Sequence, residues 1–311
     1  MTDRPVLLAY RALGLGDLLT AIPTLRGLRR AFPAYELVVA TPAVLHPLLT
    51  LAGCVDDAVD ARELAPFPWE RPAPAIAVNL HGSGTQSHTL LSAMSPDRLV
   101  AYRCPVWPDG PDWSAEEHEV DRWARLVTTC LEAPVDTADL AVEAPYALRP
   151  GVAVVHPGAA DPARRWPAER FAAVARQLSA AGLEVVVTGS STETDLVRAV
   201  RSLAELPASA DLGGRLDLVE LTCLVSSATV VVCGDTGVGH LATATRTPSV
   251  LLFGTVPPSS WGPPPRSLHT VIHSPGVAVR DLDVSPGFVA ELALHKSTYG
   301  RTSRVEEVPR T

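Results

Sequence analysis

Short apolar runs rich in Val, Leu and Ala alternate along the chain with longer segments whose apolar positions follow the helical period. Strands that are apolar on both faces need helices on both sides, so this pattern predicts parallel sheets built from strand–helix–strand units. We expect strands at 6–11, 36–40, 75–79, 98–102, 152–156, 184–188, 229–233 and 249–253. We expect helices at 17–31, 43–51, 85–94, 115–131, 168–181, 192–203, 216–226, 239–246 and 285–295, and a stiff proline-rich surface loop at 257–265.

The segment 132–150 shows no such period and contains Pro134, Pro145 and Pro150, so it is the best candidate for a linker. A length of 311 residues also favours two domains over one. The sequence therefore predicts an α/β protein with two doubly wound Rossmann-like domains, 1–145 and 146–311, whose strand ends face a shared cleft. Whether the last helix packs back on the first domain stays open.

Charge and composition remove several classes of protein. Lys and Arg together number 26 against 34 Asp and Glu, a net charge of −8, which argues against nucleic-acid binding. The only lysine is Lys296, so the chain has no GxxxxGK[ST] loop, and a Schiff-base lysine for pyridoxal phosphate is not expected. We predict no cofactor.

The five cysteines are widely spaced and form no CxxC pair, so the sequence encodes neither a disulfide framework nor a zinc knuckle. No apolar stretch approaches the roughly 18 residues that a membrane span needs. From these features we expect a cytoplasmic protein with reduced thiols and no integral membrane segment.

The first predicted strand leads into Gly14-Leu15-Gly16-Asp17. A dinucleotide-binding GxGxxG motif would need a third glycine at position 19, which is Leu19, and no carboxylate follows the next strand to hold a ribose. A nicotinamide enzyme is therefore disfavoured. A glycine turn instead places Asp17 at a helix start facing the expected cleft, although a plain helix-capping role explains the same pattern.

The richest stretch is Gly234-Asp235-Thr236-Gly237-Val238-Gly239-His240, which follows a buried strand and opens a helix. Backbone N–H groups at such a helix start bind anions, and a diphosphate is the obvious ligand. Thr236 adds a hydroxyl and His240 a possible cation. The alternative is that Asp235 only caps the helix and His240 only packs in its first turn.

Three further loops carry polar groups at predicted strand ends. Arg164 and Arg165 suit a phosphate or, alternatively, a salt bridge to a nearby carboxylate. Glu193 suits a ribose diol, or it merely favours the dipole of the helix that it begins. The loop 79–88 suits hydroxyl-rich ligands, and its histidines lack a third ligand at metal spacing, so we predict no metal site.

The order of these pieces resembles the ADP-heptose:lipopolysaccharide heptosyltransferases, which are glycosyltransferase family nine with a GT-B fold. The resemblance covers nearly the whole chain, through Gly14-Leu15-Gly16-Asp17, 23–29, His156-Pro157-Gly158, Arg164-Arg165-Trp166-Pro167, Gly234-Asp235-Thr236-Gly237, His240-Leu241-Ala242 and Phe253-Gly254. It implies an acceptor-binding first domain, a donor-binding second domain, inversion at the anomeric carbon and no metal requirement. The family often has an aspartate where this chain has Asn79.

The resemblance also implies roles for individual residues. It makes Asp17 the catalytic base, Arg164 a phosphate-binding cation and Glu193 a ribose-binding acid. Together with the loops described above, this gives donor-binding candidates His156, Gly158, Arg164, Glu193, Asp235, Thr236, Gly237 and His240, and acceptor-binding candidates Gly16, His81 and Gln86.

We therefore expect an inverting, metal-independent glycosyltransferase that moves a sugar, heptose by resemblance, from a nucleoside diphosphate sugar to an acceptor hydroxyl. The residues alone do not identify the nucleobase of the donor, and the resemblance favours an ADP-sugar. The acceptor is a glycan or a small molecule. The alternatives are a catalytically silent nucleotide-sugar-binding protein and a GT-B nucleotide-sugar epimerase or hydrolase.

Overall fold

The computed structural model describes residues 4–265 and 267–303. The chain divides into two compact units, Met1–Val142 and Glu143–Thr311. Within the residues described, no helix is long and apolar enough to cross a membrane. All five cysteines are free thiols.

The first unit is a parallel sheet with its connecting helices. Its strands are β1 (Val6–Tyr10), β2 (Glu36–Thr41), β3 (Asp57–Asp60), β4 (Ile76–Asn79) and β5 (Arg98–Val100). Its helices are α1 (Leu15–Ala31), α2 (His46–Ala52), α3 (Thr85–Ser92) and α4 (Glu119–Leu131). The strand order is β3-β2-β1-β4-β5, and every pairing is parallel.

Strand β1 is at the centre of this sheet and is buried along its whole length, as expected for a strand with helices on both faces. Strand β3 was not predicted, because its two apolar residues are flanked by aspartates and it lies at the sheet edge. The helix predicted at 115–131 begins only at Glu119, since His118 has an extended backbone and its side chain caps the helix.

The second unit repeats the design with six strands. They are β6 (Ala153–His156), β7 (Val185–Gly189), β8 (Asp211–Gly213), β9 (Val230–Gly234), β10 (Ser249–Phe253) and β11 (His269–His273). Its helices are α5 (Ala168–Ala180), α6 (Thr194–Leu203), α7 (Leu218–Ser227), α8 (Gly237–Ala244), α9 (Pro258–Trp261) and α10 (Pro286–Ser303). The strand order is β11-β10-β9-β6-β7-β8, again entirely parallel.

The margins of this unit differ from the sequence-based prediction at the edge strands and in the proline-rich loop. The edge strands β8 and β11 are short or half-buried and were not predicted. The proline-rich loop contains the single-turn helix α9, because Pro258 is well suited to the first helical position. The last helix, α10, packs on α5, β9 and β10 within the second unit.

Candidate functional site

Asp17 lies in the first turn of α1, directly after the buried strand β1 and the glycine turn. Gly14 is the N-cap, and its backbone N–H donates to Asp17 Oδ2 at 3.2 Å. The buried guanidinium of Arg11 donates to Asp17 Oδ1 at 3.1 Å. Because the Asp17 side chain is still 28% exposed, its carboxylate is held in place yet open to a ligand. Gly16 precedes it in the same turn.

The end of β4 places His81 in the same part of the first unit. The His81 ring stacks on Tyr10 with 5.1 Å between centroids. Burial, reinforced by the charge of Arg11 and opposed by that of Asp17, lowers the pKa of His81 to about 4, so the ring is neutral at pH 7. Its Nδ1 is buried and has no hydrogen-bond partner among the described residues, so it can accept or donate one hydrogen bond to a ligand.

Asn79 organises the loop that follows. Its side-chain oxygen accepts from the His81 backbone N–H at 3.1 Å, and its amide nitrogen donates to Ser87 Oγ at 2.9 Å. The loop conformation around His81 is therefore fixed by a buried side chain. Gln86 is exposed on the first turn of α3.

In the second unit, the glycine-rich loop forms the start of α8 directly after β9. Helix α8 begins at Gly237, two residues before the predicted start, and Thr236 is its N-cap, accepting from the Val238 N–H at 3.3 Å. The structure therefore gives the capping role to Thr236, whereas Asp235 is buried in the preceding turn. The positive end of the α8 dipole lies at this loop, which suits an anion.

A pocket opens over this loop. His240 meets Trp261 of α9 edge-on, with ring centroids 5.8 Å apart, and both residues line the pocket together with Asp235, Thr236 and Gly239. The proline-rich segment that contains Trp261 thus contributes a wall that the sequence did not predict.

Two arginines lie beside these groups at long distances. Arg164 Nη1 is 3.6 Å from Asp235 Oδ2, and Arg165 Nη2 is 3.8 Å from Glu193 Oε1. Their side chains are 37% and 35% exposed. Each arginine therefore pairs with a carboxylate, which was the alternative to phosphate binding. At these distances and exposures the salt bridges are weak, so both arginines can still bind a phosphate.

Glu193 is buried between the ends of β6 and β7. It accepts from the backbone N–H and the hydroxyl of Ser190, each at 2.9 Å, in a capping arrangement. Burial opposes its ionisation, but these two hydrogen bonds, together with His156 and Arg165, outweigh that effect and lower the pKa of Glu193. Glu193 therefore takes part in a capping box at the helix start, which the dipole alternative did not include, and it stays charged at pH 7.

His156 and Gly158 complete this cluster. Burial lowers the pKa of His156, and its Nδ1 lies 3.0 Å from the Thr188 hydroxyl. A side chain at Gly158 would collide with the Glu193 carboxylate, so the loop after β6 can approach Glu193 only because residue 158 is glycine.

The predicted residues thus form three groups. Asp17, Gly16 and His81 lie near one another in the first unit. In the second unit, Arg164 lies with the loop 235–240, and His156, Gly158 and Glu193 lie together. Arg11 and Trp261 were missed, although a charged residue at the end of the apolar run 6–10 was a usable signal for Arg11. Among residues 4–265 and 267–303, no group of three or more His, Cys, Asp or Glu side chains is arranged to hold a metal ion.

Each unit has a doubly wound sheet of parallel strands, and the second unit has a glycine-rich helix start. These are features of the GT-B class of glycosyltransferase fold. Solved structures agree over nearly the whole chain. The glycosyltransferase family 9 structure from Veillonella parvula has a TM-score of 0.75 at 18% identity and covers 96% of this chain and 98% of its own. The structure of Escherichia coli ADP-heptose LPS heptosyltransferase II has a TM-score of 0.77 at 20% identity, with coverages of 95% and 99%.

The chain belongs to glycosyltransferase family 9 (heptosyltransferase), whose family model matches residues 113–278. Lipooligosaccharide heptosyltransferase 2 of Haemophilus influenzae is 32% identical over 122 residues, which are 37% of this chain and 34% of that protein. The chain thus aligns with about a third of the length of this curated relative.

Proposed function

We propose that this protein is an inverting, metal-independent glycosyltransferase that moves heptose from ADP-heptose to an acceptor hydroxyl. Family membership supports glycosyl transfer, and ADP-heptose appears in the name of the E. coli enzyme whose fold it shares. The observation that carries the proposal is Asp17, whose carboxylate is held on both oxygens and is still 28% exposed.

In this mechanism Asp17 removes the proton of the acceptor hydroxyl as its oxygen attacks the anomeric carbon. The bond from that carbon to the ADP oxygen breaks on the opposite face, which inverts the configuration. Gly16, His81 and Gln86 are our candidates for binding the acceptor. The neutral His81 ring, with its unpaired Nδ1, is suited to a hydroxyl group.

The departing diphosphate takes up negative charge, which the second unit can stabilise. We propose that the N–H groups at Gly237, the hydroxyl of Thr236 and the Arg164 guanidinium bind it, with Asp235 and His240 in the same loop. Glu193, beside His156 and Gly158, would accept from the ribose hydroxyls. Arg164 and the helix start supply the positive charge that a divalent metal supplies in other transferases, so activity should survive excess EDTA.

The decisive experiment replaces Asp17 by Asn, which keeps the shape and loses the ability to take a proton. We expect ADP affinity to stay unchanged. We expect ADP release from ADP-heptose, with water in place of the acceptor hydroxyl, to fall by roughly 10² to 10⁴. The matched control is Asp121→Asn, since Asp121 is an exposed aspartate in the first turn of α4. Asp17→Asn at the parent rate would reduce Asp17 to a helix-capping residue and reject this mechanism.

A second comparison separates an enzyme from a silent nucleotide-sugar-binding protein. The parent protein is titrated with ADP and then assayed for ADP release from ADP-heptose. ADP binding without any turnover would identify a binding protein, and release that is lost in EDTA and restored by Mg²⁺ or Mn²⁺ would reject metal independence.

A further inference from the structure

Arg11 is the residue in direct contact with Asp17 that the proposed mechanism leaves unused. It directly follows β1, and its side chain is only 1% exposed. Its Nε donates to the Asp17 backbone carbonyl at 3.1 Å, and Nη2 donates to Asp17 Oδ1, also at 3.1 Å. Nη1 donates to the carbonyl of Leu80, next to His81. One guanidinium therefore fixes both the backbone and the side chain of residue 17.

The charge of Arg11 is balanced by Glu119, at the start of α4. Arg11 Nη2 lies 2.7 Å from Glu119 Oε1, which also accepts from the Trp123 indole at 2.9 Å, and the other carboxylate oxygen pairs with Arg122. The Arg11 guanidinium also lies over the Trp123 ring, 4.8 Å from its centroid. A buried arginine needs such a partner, because an uncompensated buried charge is strongly destabilising.

Arg11 has two carboxylate partners with different tasks. Glu119 helps to balance its buried charge, and Asp17 stays available to a ligand. Glu119 is the closer and more buried of the two carboxylates that pair with Arg11. Asp17 makes the longer contact and keeps its exposed fraction. With Oδ1 held by Arg11 and Oδ2 held by the Gly14 N–H, the carboxylate has a fixed orientation before any ligand arrives.

We propose that Arg11 is a positioning residue for glycosyl transfer, acting through Asp17, with its own positive charge paired with Glu119 in the fold. This inference rests on the proposed role of Asp17 as the base. Arg11 itself is buried, so its effect on the rate comes from the placement of the Asp17 carboxylate, and displacing a reacting group by about an ångström is enough to slow a reaction strongly.

The test is a double-mutant cycle of Arg11→Lys with Asp17→Asn, measured as ADP release from ADP-heptose. A lysine has one nitrogen and cannot make the four contacts of the guanidinium, so we expect kcat to fall about tenfold or more, with KM for ADP-heptose unchanged. In the Asp17→Asn background the same change should have no further effect, because there is no base left to position. A purely structural role would give equal falls in both backgrounds.

Two further variants keep the test sharp. Arg26→Lys is the matched control, because Arg26 lies on the same helix as Asp17 and pairs with Asp139 at 2.6 Å without touching Asp17. Its kcat should match the parent. Asp17→Glu leaves the buried arginine intact but moves the carboxylate away from both donors. We expect it to lose kcat about tenfold as well, with unchanged ADP affinity, even if Arg11→Lys folds poorly.

The outcomes distinguish this inference from the proposed function on which it rests. Asp17→Asn at the parent rate would reject Asp17 as the base. Asp17→Asn that is slow, combined with Arg11→Lys or Asp17→Glu at the parent rate, would leave the base in place and reject the positioning role alone.

Discussion

The two units differ in how the arginines of their candidate sites are paired. In the first, nearly every arginine is paired with a carboxylate, and the pair of Arg11 with Glu119 is almost completely buried. In the second, Arg164 and Arg165 are about a third exposed and lie 3.6 and 3.8 Å from their carboxylates. A buried, tightly paired arginine shapes a site, whereas a partly exposed and loosely paired one is available to a ligand.

Among these site residues, Arg164 should contribute most to ADP binding. Replacing it by Ala should weaken ADP binding by about 1.5 to 3 kcal/mol, the range for a hydrogen bond to a charged group. Isothermal titration measures the change. Arg198→Ala is the control, since Arg198 is an exposed arginine of the same unit paired only with Asp195. Equal ADP affinities in the two variants would mean that Arg164 serves the fold, like the arginines of the first unit.

Gly158→Ala tests whether Glu193 binds ADP or only caps its helix. The added methyl group would collide with the Glu193 carboxylate and displace it from Ser190, so we expect unfolding to become easier by about 1 to 2 kcal/mol and ADP to bind more weakly. The control is Gly84→Ala, where a methyl group meets no atom within 4 Å. A loss of stability with unchanged ADP affinity would show that Glu193 only caps its helix.

The third prediction concerns the nucleobase of the donor. We expect ADP to bind at least about tenfold more tightly than UDP or GDP, which corresponds to about 1.4 kcal/mol. Competition titration against ADP provides the measurement. Equal or tighter binding of UDP or GDP would leave the fold and the anion loop as described, while removing ADP-heptose as the donor.

The smallest effect is the pH dependence of stability from His81. In the unfolded chain its pKa is near 6.5, and in the fold burial lowers it to about 4, so the unfolded state binds more protons between these values. Stability from this group is therefore lost as the pH falls from 6.5 to 4. Allowing for its partial exposure, we expect a loss of about 1 kcal/mol, measured by urea unfolding. His81→Asn should show a shallower decline than the parent; identical pH profiles would contradict this.

The central strands of both sheets could be predicted because a strand covered on both faces is a continuous apolar run, as in β1 and β10. Three of the four edge strands, β3, β8 and β11, could not, since each has at most two apolar residues and becomes a strand by pairing with a neighbour. The same holds for helix starts, where the extended His118 and Thr236 shifted the predicted boundary.

For the candidate site, the sequence predicted loops better than contacts. Asp17, Glu193 and the loop 234–240 could be found because glycines and charged groups follow apolar runs at strand ends. Their binding roles stay predictions. The contact of Arg11 with Asp17 depends on Glu119, which is far away in the sequence, so no local pattern could reveal that a single guanidinium joins two carboxylates.

That separation has a consequence for how the first unit acquires its structure. Arg11 and Glu119 are 108 residues apart in the sequence. The guanidinium of Arg11, at the end of β1, therefore cannot be buried at low cost until α4 packs against this end of the strand. Contacts between distant parts of a chain form slowly, since a long loop must close first. During synthesis, β1 and α1 therefore emerge long before their charge partner does. We expect the packing of α4 to be a late step in folding. The contacts that hold the Asp17 carboxylate should form only at that step.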